Sequence, residues 1–381
     1  MSKLWRVGDR EADFVKQAIK NGLTGEFNAK FESEFAKLFG VKYAIGINSG
    51  TSALHASLAA MGVGPGDEVI VPPLTFASTG FAPMFLGATP VFADIDPETF
   101  NINPEDIRKK ITPKTKVILP VSLYGLPADF NEINKIAKEH NLLVLEDNAE
   151  CYLGTINDKL AGTFGDMSIF SMERSKHITT GNGGVIITNN EELAEKARKF
   201  SIMGYSTLKA GAYAAKPSKD VIQDPNFERH LMISPNYRLP ELCAAAGLSQ
   251  LEKVKEFVEM RKKVARAYLS VIKGHDWIKP QKTPEGYENS YFAFTVALDK
   301  NVIDFKTFRK IFIEEGGDPF YAAWKLTYDE PIMREKLTNI SCPIAENLQP
   351  KLAQLKTNFG DEEKIQIQKE ALRKTIERIE K

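Results

Sequence analysis

The chain is expected to be an α/β protein with a mostly parallel sheet covered by helices on both faces. Seven short apolar runs carry this expectation, because segments of helical pattern separate most of them. Size and composition agree: the 381 residues are 43% apolar and 26% charged, as in a soluble globular protein whose core needs no staples.

KYAIGI (residues 42–47) is the first run, and SALHASLAAMG after it is compatible with a helix. EVIVPP (68–73), a helical stretch near 80–86 and PVFADI (90–95) follow. KVILPVSLYG (116–125), a helix near 130–139 and LLVLEDNAE (142–150) continue the alternation. SIFSM (168–172) and GVIITNN (184–190) complete the set. Residues 206–232 are polar, contain Pro and Lys, and have no clear period; a long loop is expected there.

From Leu251 the pattern turns helical, with Val254, Phe257, Val258, Val264, Ala265, Tyr268, Leu269 and Ile272 at three- and four-residue steps. A large α/β domain over 1–250 and a smaller α+β domain over 251–381 are expected. The smaller one holds a strand near 290–298, a helix near 305–315 and a last amphipathic helix near 361–380 with Ile365, Leu372, Ile376 and Ile379 on one face.

A formal net charge of zero, with no block of five like charges, argues against nucleic acid as the main partner. The start, MSKLWRVGDREADF, lacks the layout of a secretory signal. No run of about eighteen apolar residues suggests a membrane span. Cys151, Cys243 and Cys342 lie far apart and read as reduced thiols of a cytoplasmic protein. The five histidines are scattered, and no metal site is expected.

Three stretches carry chemistry. In NSGTSALHASL (48–58) a strand enters and a helix leaves. Gly50 permits a tight turn, and the N–H groups of the first helical turn, with the Thr51 and Ser52 hydroxyls, form a phosphate cup. A plain Ser/Thr helix cap explains the same residues without any ligand. Neither a Walker loop nor a GxGxxG fingerprint is present. In LLVLEDNAE, four apolar residues lead into Glu146 and Asp147. A carboxylate at the end of a buried strand needs a partner, either a helix cap or the protonated ring nitrogen of a cofactor. In FSMERSKHITTGNGG (170–184), Lys176 lies between an apolar strand bearing Ser171 and the glycines 181, 183 and 184, which allow close backbone approach. Arg174 and His177 flank it. Desolvation and nearby cations make such an amine a nucleophile. Cup, ring partner and amine, in that order, describe pyridoxal phosphate held as a Schiff base.

At this point the chain resembles the DegT/DnrJ/EryC1/StrS aminotransferases, which act on keto-sugars. The landmarks are LTGEFNAKFESEFAKLFG, SGTSAL, GDEVIVPPLTF, GATPVFADID, SKHITTGNGG and NYRLPEL. The resemblance implies the aspartate-aminotransferase-like fold type I, with a mostly parallel seven-stranded sheet. It implies pyridoxal 5'-phosphate joined as an aldimine to Lys176, with pyridoxamine phosphate during turnover. Asp147 matches the partner of the pyridine nitrogen; Gly50, Thr51, Ser52 and Ser171 match the phosphate site; Phe76 matches the aromatic that stacks on the ring. Asn236 matches a residue that reaches the phosphate of a neighbouring subunit, which implies a homodimer with shared active sites. Glu150 stands where the family usually has Gln or His; a carboxylate there either points away from the cofactor or tunes the aldimine. Met172-Glu173 replaces a common Phe-His, and histidines expected at Ser122 and within 320–324 are absent, so the sugar is not specified. Lys176 separates the chain from the related deoxygenating branch, in which histidine takes that place.

The implied activity is transfer of an amino group, with L-glutamate as donor, to a nucleotide-linked keto-sugar in amino-sugar and polysaccharide biosynthesis. Another pyridoxal-phosphate reaction, such as sugar dehydration, and a non-catalytic cofactor-binding regulator are the alternatives. Tyr321, Trp324, Lys325, Lys209, Lys216 and Arg229 are candidates for substrate contact, with packing and solvated charge as the plainer explanation.

Overall fold

Runs rich in Val, Ile and Leu form strands where both faces can be covered. The computed structural model describes residues 5–211 and 218–381. In it the expected seven runs become β1 (Tyr43–Ile47), β2 (Glu68–Val71), β3 (Thr89–Phe92), β4 (Thr115–Ile118) and β5 (Leu143–Asp147), then, after a small hairpin of β6 (Thr155–Ile156) and β7 (Lys159–Leu160), β8 (Met167–Ser171) and β9 (Gly184–Thr188). These seven form one sheet in the order β1-β9-β8-β5-β4-β2-β3. All are parallel except β9, which runs against both β8 and β1.

The reversal at β9 has a local cause. Parallel neighbours need a crossover, usually a helix. Residues 172–183 between β8 and β9 contain no helix, so the chain turns back beside itself, and Ser171 pairs with Gly184 across the turn. Gly184 also lies against the first peptide of the next layer: a Cβ there would meet the Ser49 carbonyl oxygen at 2.6 Å.

Helices α1 (Asp9–Lys20) and α2 (Glu26–Phe39) precede the sheet. In α2, Phe27, Phe31, Phe35 and Phe39 fall four residues apart and are all buried. Phe39 and Phe35 reach the Phe170 ring of β8 at centroid distances of 4.6 and 5.3 Å. Helix α3 (Gly50–Ala60) follows β1, and α4 (Ser78–Phe85) follows β2.

The periodicity from Leu251 crosses a break. One helix ends at Glu252 and the next runs Val254–Ile272, with Lys253 between them at φ −111° and ψ 0°. Further on, β10 (Ile278–Pro280), β12 (Ala293–Leu298), β13 (Tyr321–Ala322) and β14 (Leu352–Lys356) make an antiparallel sheet in the order β10-β12-β14-β13, while β11 (Tyr287–Glu288) joins the small hairpin. Phe294, Phe308, Phe312 and Phe320 are buried with Ile365, Leu372 and Ile376 of the last helix, Glu362–Ile379. Tyr328 and Met333 instead join the core of the large sheet. No helix among the described residues is long and apolar enough to cross a membrane.

A methyl at Gly184 meets backbone that cannot swing aside. Gly184→Ala is expected to cost about 1–3 kcal/mol of stability, read as a lower urea midpoint; an unchanged midpoint contradicts this packing.

Candidate active site

The carboxyl ends of the six parallel strands share one edge of the sheet, the place where open α/β sheets bind ligands. β1 delivers Asn48 and Ser49 to that edge, β5 delivers Asp147, and β8 delivers Ser171.

Ser49 caps α3, its hydroxyl accepting from the Ser52 N–H at 3.1 Å and donating to the Ser52 hydroxyl at 2.9 Å. The plain-cap reading therefore holds for Ser49. It does not exhaust the helix end, because the Gly50 and Thr51 N–H groups precede the first helical hydrogen bond, Ala53 N–H to Ser49 O. Gly50 sits close to Ser171: a Cβ would lie 3.0 Å from the serine Cβ. Cup residues and strand serine are thus neighbours.

Alternation along β5 separates its two carboxyls. Glu146 is fully buried and accepts from the N–H groups of Gly162, Phe164 and Gly165, each at 2.6 Å, and from Asn148. It braces a loop and takes no part in the edge. Asp147 faces the edge, accepting from the Thr79 hydroxyl at 3.0 Å and the Ala149 N–H at 3.1 Å. Burial pushes its carboxyl up to about 6, offset in part by those bonds and by the Lys176 charge.

Lys176 stands on the irregular β8–β9 connection. Its Nζ lies 3.2 Å from Glu150 Oε1 and 4.4 Å from the centre of the Phe292 ring. The other Glu150 oxygen accepts from the Tyr124 N–H at 3.1 Å. Lys176, Glu150 and Asp147 therefore form one cluster, in which the charges of Lys176 and Glu150 both act on Asp147. His177 supplies no charge to it: it is fully buried, its Nε2 is 3.0 Å from Ser290 O, and burial holds it well below its usual range. The close backbone approach expected at the glycines is made at Gly184 by the chain's own Ser49, while Gly181 has open space around it.

Phe76 precedes α4 and is 55% exposed, with its ring edge-on to Trp324 at 5.7 Å. Tyr321 stacks on Trp324 at 6.4 Å. Asn236 is exposed and binds Arg238 at 2.9 Å; no contact joins it to the Lys176 cluster among the described residues. Lys209 pairs loosely with Glu195, and Arg229 bonds Ile222 O. Lys216 lies outside the described residues. Among the described residues no three metal-ligating side chains gather.

Sequence reasoning did not find Thr79, Tyr124 or Phe292. No motif marks them; each becomes relevant only because the fold carries it to Asp147, Glu150 or Lys176.

These residues fit pyridoxal phosphate. The α3 terminus offers N–H donors to a phosphate. Asp147 is a buried carboxyl held between its two donors, suited to a ring N–H. Phe76 presents an open aromatic face, and Lys176 provides the amine. Tyr124 and Ser122 add buried hydroxyls without partners in the structure.

A model of the DegT/DnrJ/EryC1/StrS aminotransferase family matches residues 6–367. The GDP-perosamine synthase of Caulobacter vibrioides is 39% identical over 303 residues, covering 78% of this chain and 76% of that protein. The solved aminotransferase from Psychrobacter cryohalolentis superposes with a TM-score of 0.89 at 27% identity, covering 100% of both chains. The E. coli GDP-4-keto-6-deoxy-D-mannose-3-dehydratase with bound hydrated PLP superposes with a TM-score of 0.84 at 28% identity, covering 97% of this chain and 98% of that one.

A carboxyl whose pKa is higher folded than unfolded favours folding when protonated. For Asp147 that contribution is complete below about 4 and fades as pH rises through about 6. In cofactor-free protein, Asp147→Asn is therefore expected to gain stability over the parent chain between pH 4 and pH 7, by about 2–3 kcal/mol. Denaturant unfolding of both chains across that range measures it; a constant difference refutes the assignment.

Proposed function

The chain belongs to the DegT/DnrJ/EryC1/StrS aminotransferase family, and from that premise we propose that it moves an amino group from L-glutamate to the carbonyl of a nucleotide-linked keto-sugar. As a member of that family it is a pyridoxal-phosphate-dependent aminotransferase. The observation that carries the reading is the Lys176 amine, 3.2 Å from Glu150 at the strand edge where Asp147 is buried. Bound pyridoxal phosphate supplies a carbonyl that an amine joins covalently and a protonated ring that draws electrons from the adjoining carbon.

In this reading Lys176 would hold the cofactor through its ε-amine. When free, the same amine would serve as general base and general acid, taking the proton from the donor Cα and giving it up again, a role worth roughly 10²–10⁴-fold. Asp147 accepts the ring N–H and keeps it protonated. Gly50, Thr51, Ser52 and Ser171 hold the phosphate at the α3 terminus. Phe76 covers the ring face. Glu150, whose other oxygen is tied to the Tyr124 N–H, positions the ε-amine of Lys176. Water supplies the keto oxygen as glutamate leaves as 2-oxoglutarate, and the sugar carbonyl oxygen leaves as water when the amine arrives.

The proposal includes a cytoplasmic homodimer with shared sites. Leu231, Met232 and Ile233 are exposed just before Asn236, an apolar run that suits burial by a second copy. It also includes a division into a cofactor-binding part, 1–250, and a smaller part, 251–381. The change from the large parallel sheet to the four-stranded antiparallel sheet supports that division. Sugar dehydration is the rival, since one similar structure is a dehydratase; it needs no net transfer of glutamate nitrogen to the sugar.

Purified protein given L-glutamate is expected to form 2-oxoglutarate in a single half-reaction, and borohydride is expected to fix the cofactor on the peptide bearing Lys176. Lys176→Ala should lose both the adduct and turnover, by at least about 10²-fold. Full activity in that variant, or sugar turnover without glutamate consumption, overturns the reading.

A further inference from the structure

Lys176 sits where no helix or strand fixes the backbone. Two buried guanidinium groups hold it instead: the carbonyl oxygens of Arg174, Ser175, Lys176 and His177 all accept hydrogen bonds from them. Arg6, just before α1, donates to Lys176 O and His177 O, and to Arg174 O at 3.1 Å. Arg261, in helix Val254–Ile272, donates to Ser175 O at 3.0 Å and Lys176 O at 3.4 Å. The Lys176 carbonyl is thus gripped from both sides, by residues 170 and 85 positions away in the chain.

Each guanidinium belongs to a residue only 1% exposed, and neither has a carboxylate within ion-pair distance among the described residues. Burying such a charge is costly unless it is paired or fully bonded. Carbonyl dipoles take the place of a counter-ion here, and the Nε atoms of both arginines are left without partners. Apolar side chains there would leave the segment's carbonyls unpaired, and a lysine would supply a single nitrogen in place of the fork. What a planar fork adds is the fixed spacing of two donors: both terminal nitrogens of Arg6 meet the segment, while Arg261 spans from the segment through one nitrogen to Phe292 O through the other.

Both arginines are themselves anchored. Gln250 donates to Arg6 O at 2.7 Å and accepts from the Thr179 N–H at 3.2 Å, closing a ring around the segment. Arg261 also donates to Phe292 O at 2.7 Å and to the Thr357 hydroxyl at 3.0 Å. Phe292 is the ring beneath the Lys176 amine, so one guanidinium sets both the segment that carries the amine and the surface on which it rests.

We propose that Arg6 and Arg261 are positioning residues that clamp the 174–177 backbone and thereby fix where the Lys176 amine meets the reacting carbon. The catalytic half of this rests on the function proposed above; the clamp itself does not. Arg→Lys at either site keeps the charge and removes the fork.

Arg6→Lys and Arg261→Lys are tested beside Arg10→Lys, a surface control whose side chain binds Glu252. In cofactor-free protein, hydrogen exchange of peptides spanning 172–180 is expected to rise in the first two and stay unchanged in the control. In the holoenzyme, the half-reaction rate constant with L-glutamate is expected to fall about 10- to 100-fold, with KM for glutamate within about threefold of the parent chain. Unchanged exchange over 172–180 overturns the clamp, and so does a rise spread evenly over the whole chain. Faster local exchange with an unchanged rate constant overturns the positioning role. If Arg261→Lys does not fold, Arg6→Lys carries the same readouts. Wild-type activity in Lys176→Ala sinks the functional reading instead and leaves the exchange result to judge the clamp.

Discussion

The Ser171–Gly184 pair closes twelve residues of chain that have no regular structure of their own, and the site depends on that closure. A crossover helix between β8 and β9 would have carried the following strand away on the far side of the sheet. Turning back at once keeps Lys176 over the strand ends, beside Asp147 from β5 and the start of α3 from β1. What results is a segment whose carbonyls find no partner in a sheet or helix. Side chains from distant parts of the sequence supply those partners.

Charge in the site is distributed in a consistent way. Lys176 faces Glu150 directly, at 3.2 Å. Asp147 lies one step further in, buried and reluctant to ionise. His177, between two guanidiniums and out of water, stays neutral and acts as a packed ring with one hydrogen bond. Arg6 and Arg261, on other elements, hold the backbone that carries the amine, and His177 adds no charge to it.

Much of the fold was legible because it is written in local pattern. All seven apolar runs are strands of one sheet, since fully buried strands demand unbroken Val, Ile and Leu. Helix α2 was equally readable in the four-residue spacing of its phenylalanines, although only a family landmark drew attention to that stretch. The break at Lys253 was not readable: neither Gly nor Pro marks it, and the apolar period runs through. In the site, Asp147 and Ser171 end neighbouring strands, Gly50 lies against Ser171, and the β8–β9 connection brings Lys176 to Asp147. Thr79, Phe292, Arg6 and Arg261 carried no sequence signal, because their importance lies in contacts made across more than sixty residues of chain. Whether Glu150 would point inward or away was open in the sequence; its two oxygens turn to the Lys176 amine and the Tyr124 backbone.

The open face of Phe76, the capped helix end beside Ser171 and the buried Asp147 carboxyl are all features that a tight-binding guest makes more favourable. A guest that binds only the native chain adds stability as RT ln(1 + [L]/Kd), about 2.7 kcal/mol at a hundredfold excess over Kd. Pyridoxal phosphate would be such a guest, so the folded population of this chain would rise with the cofactor supplied to it.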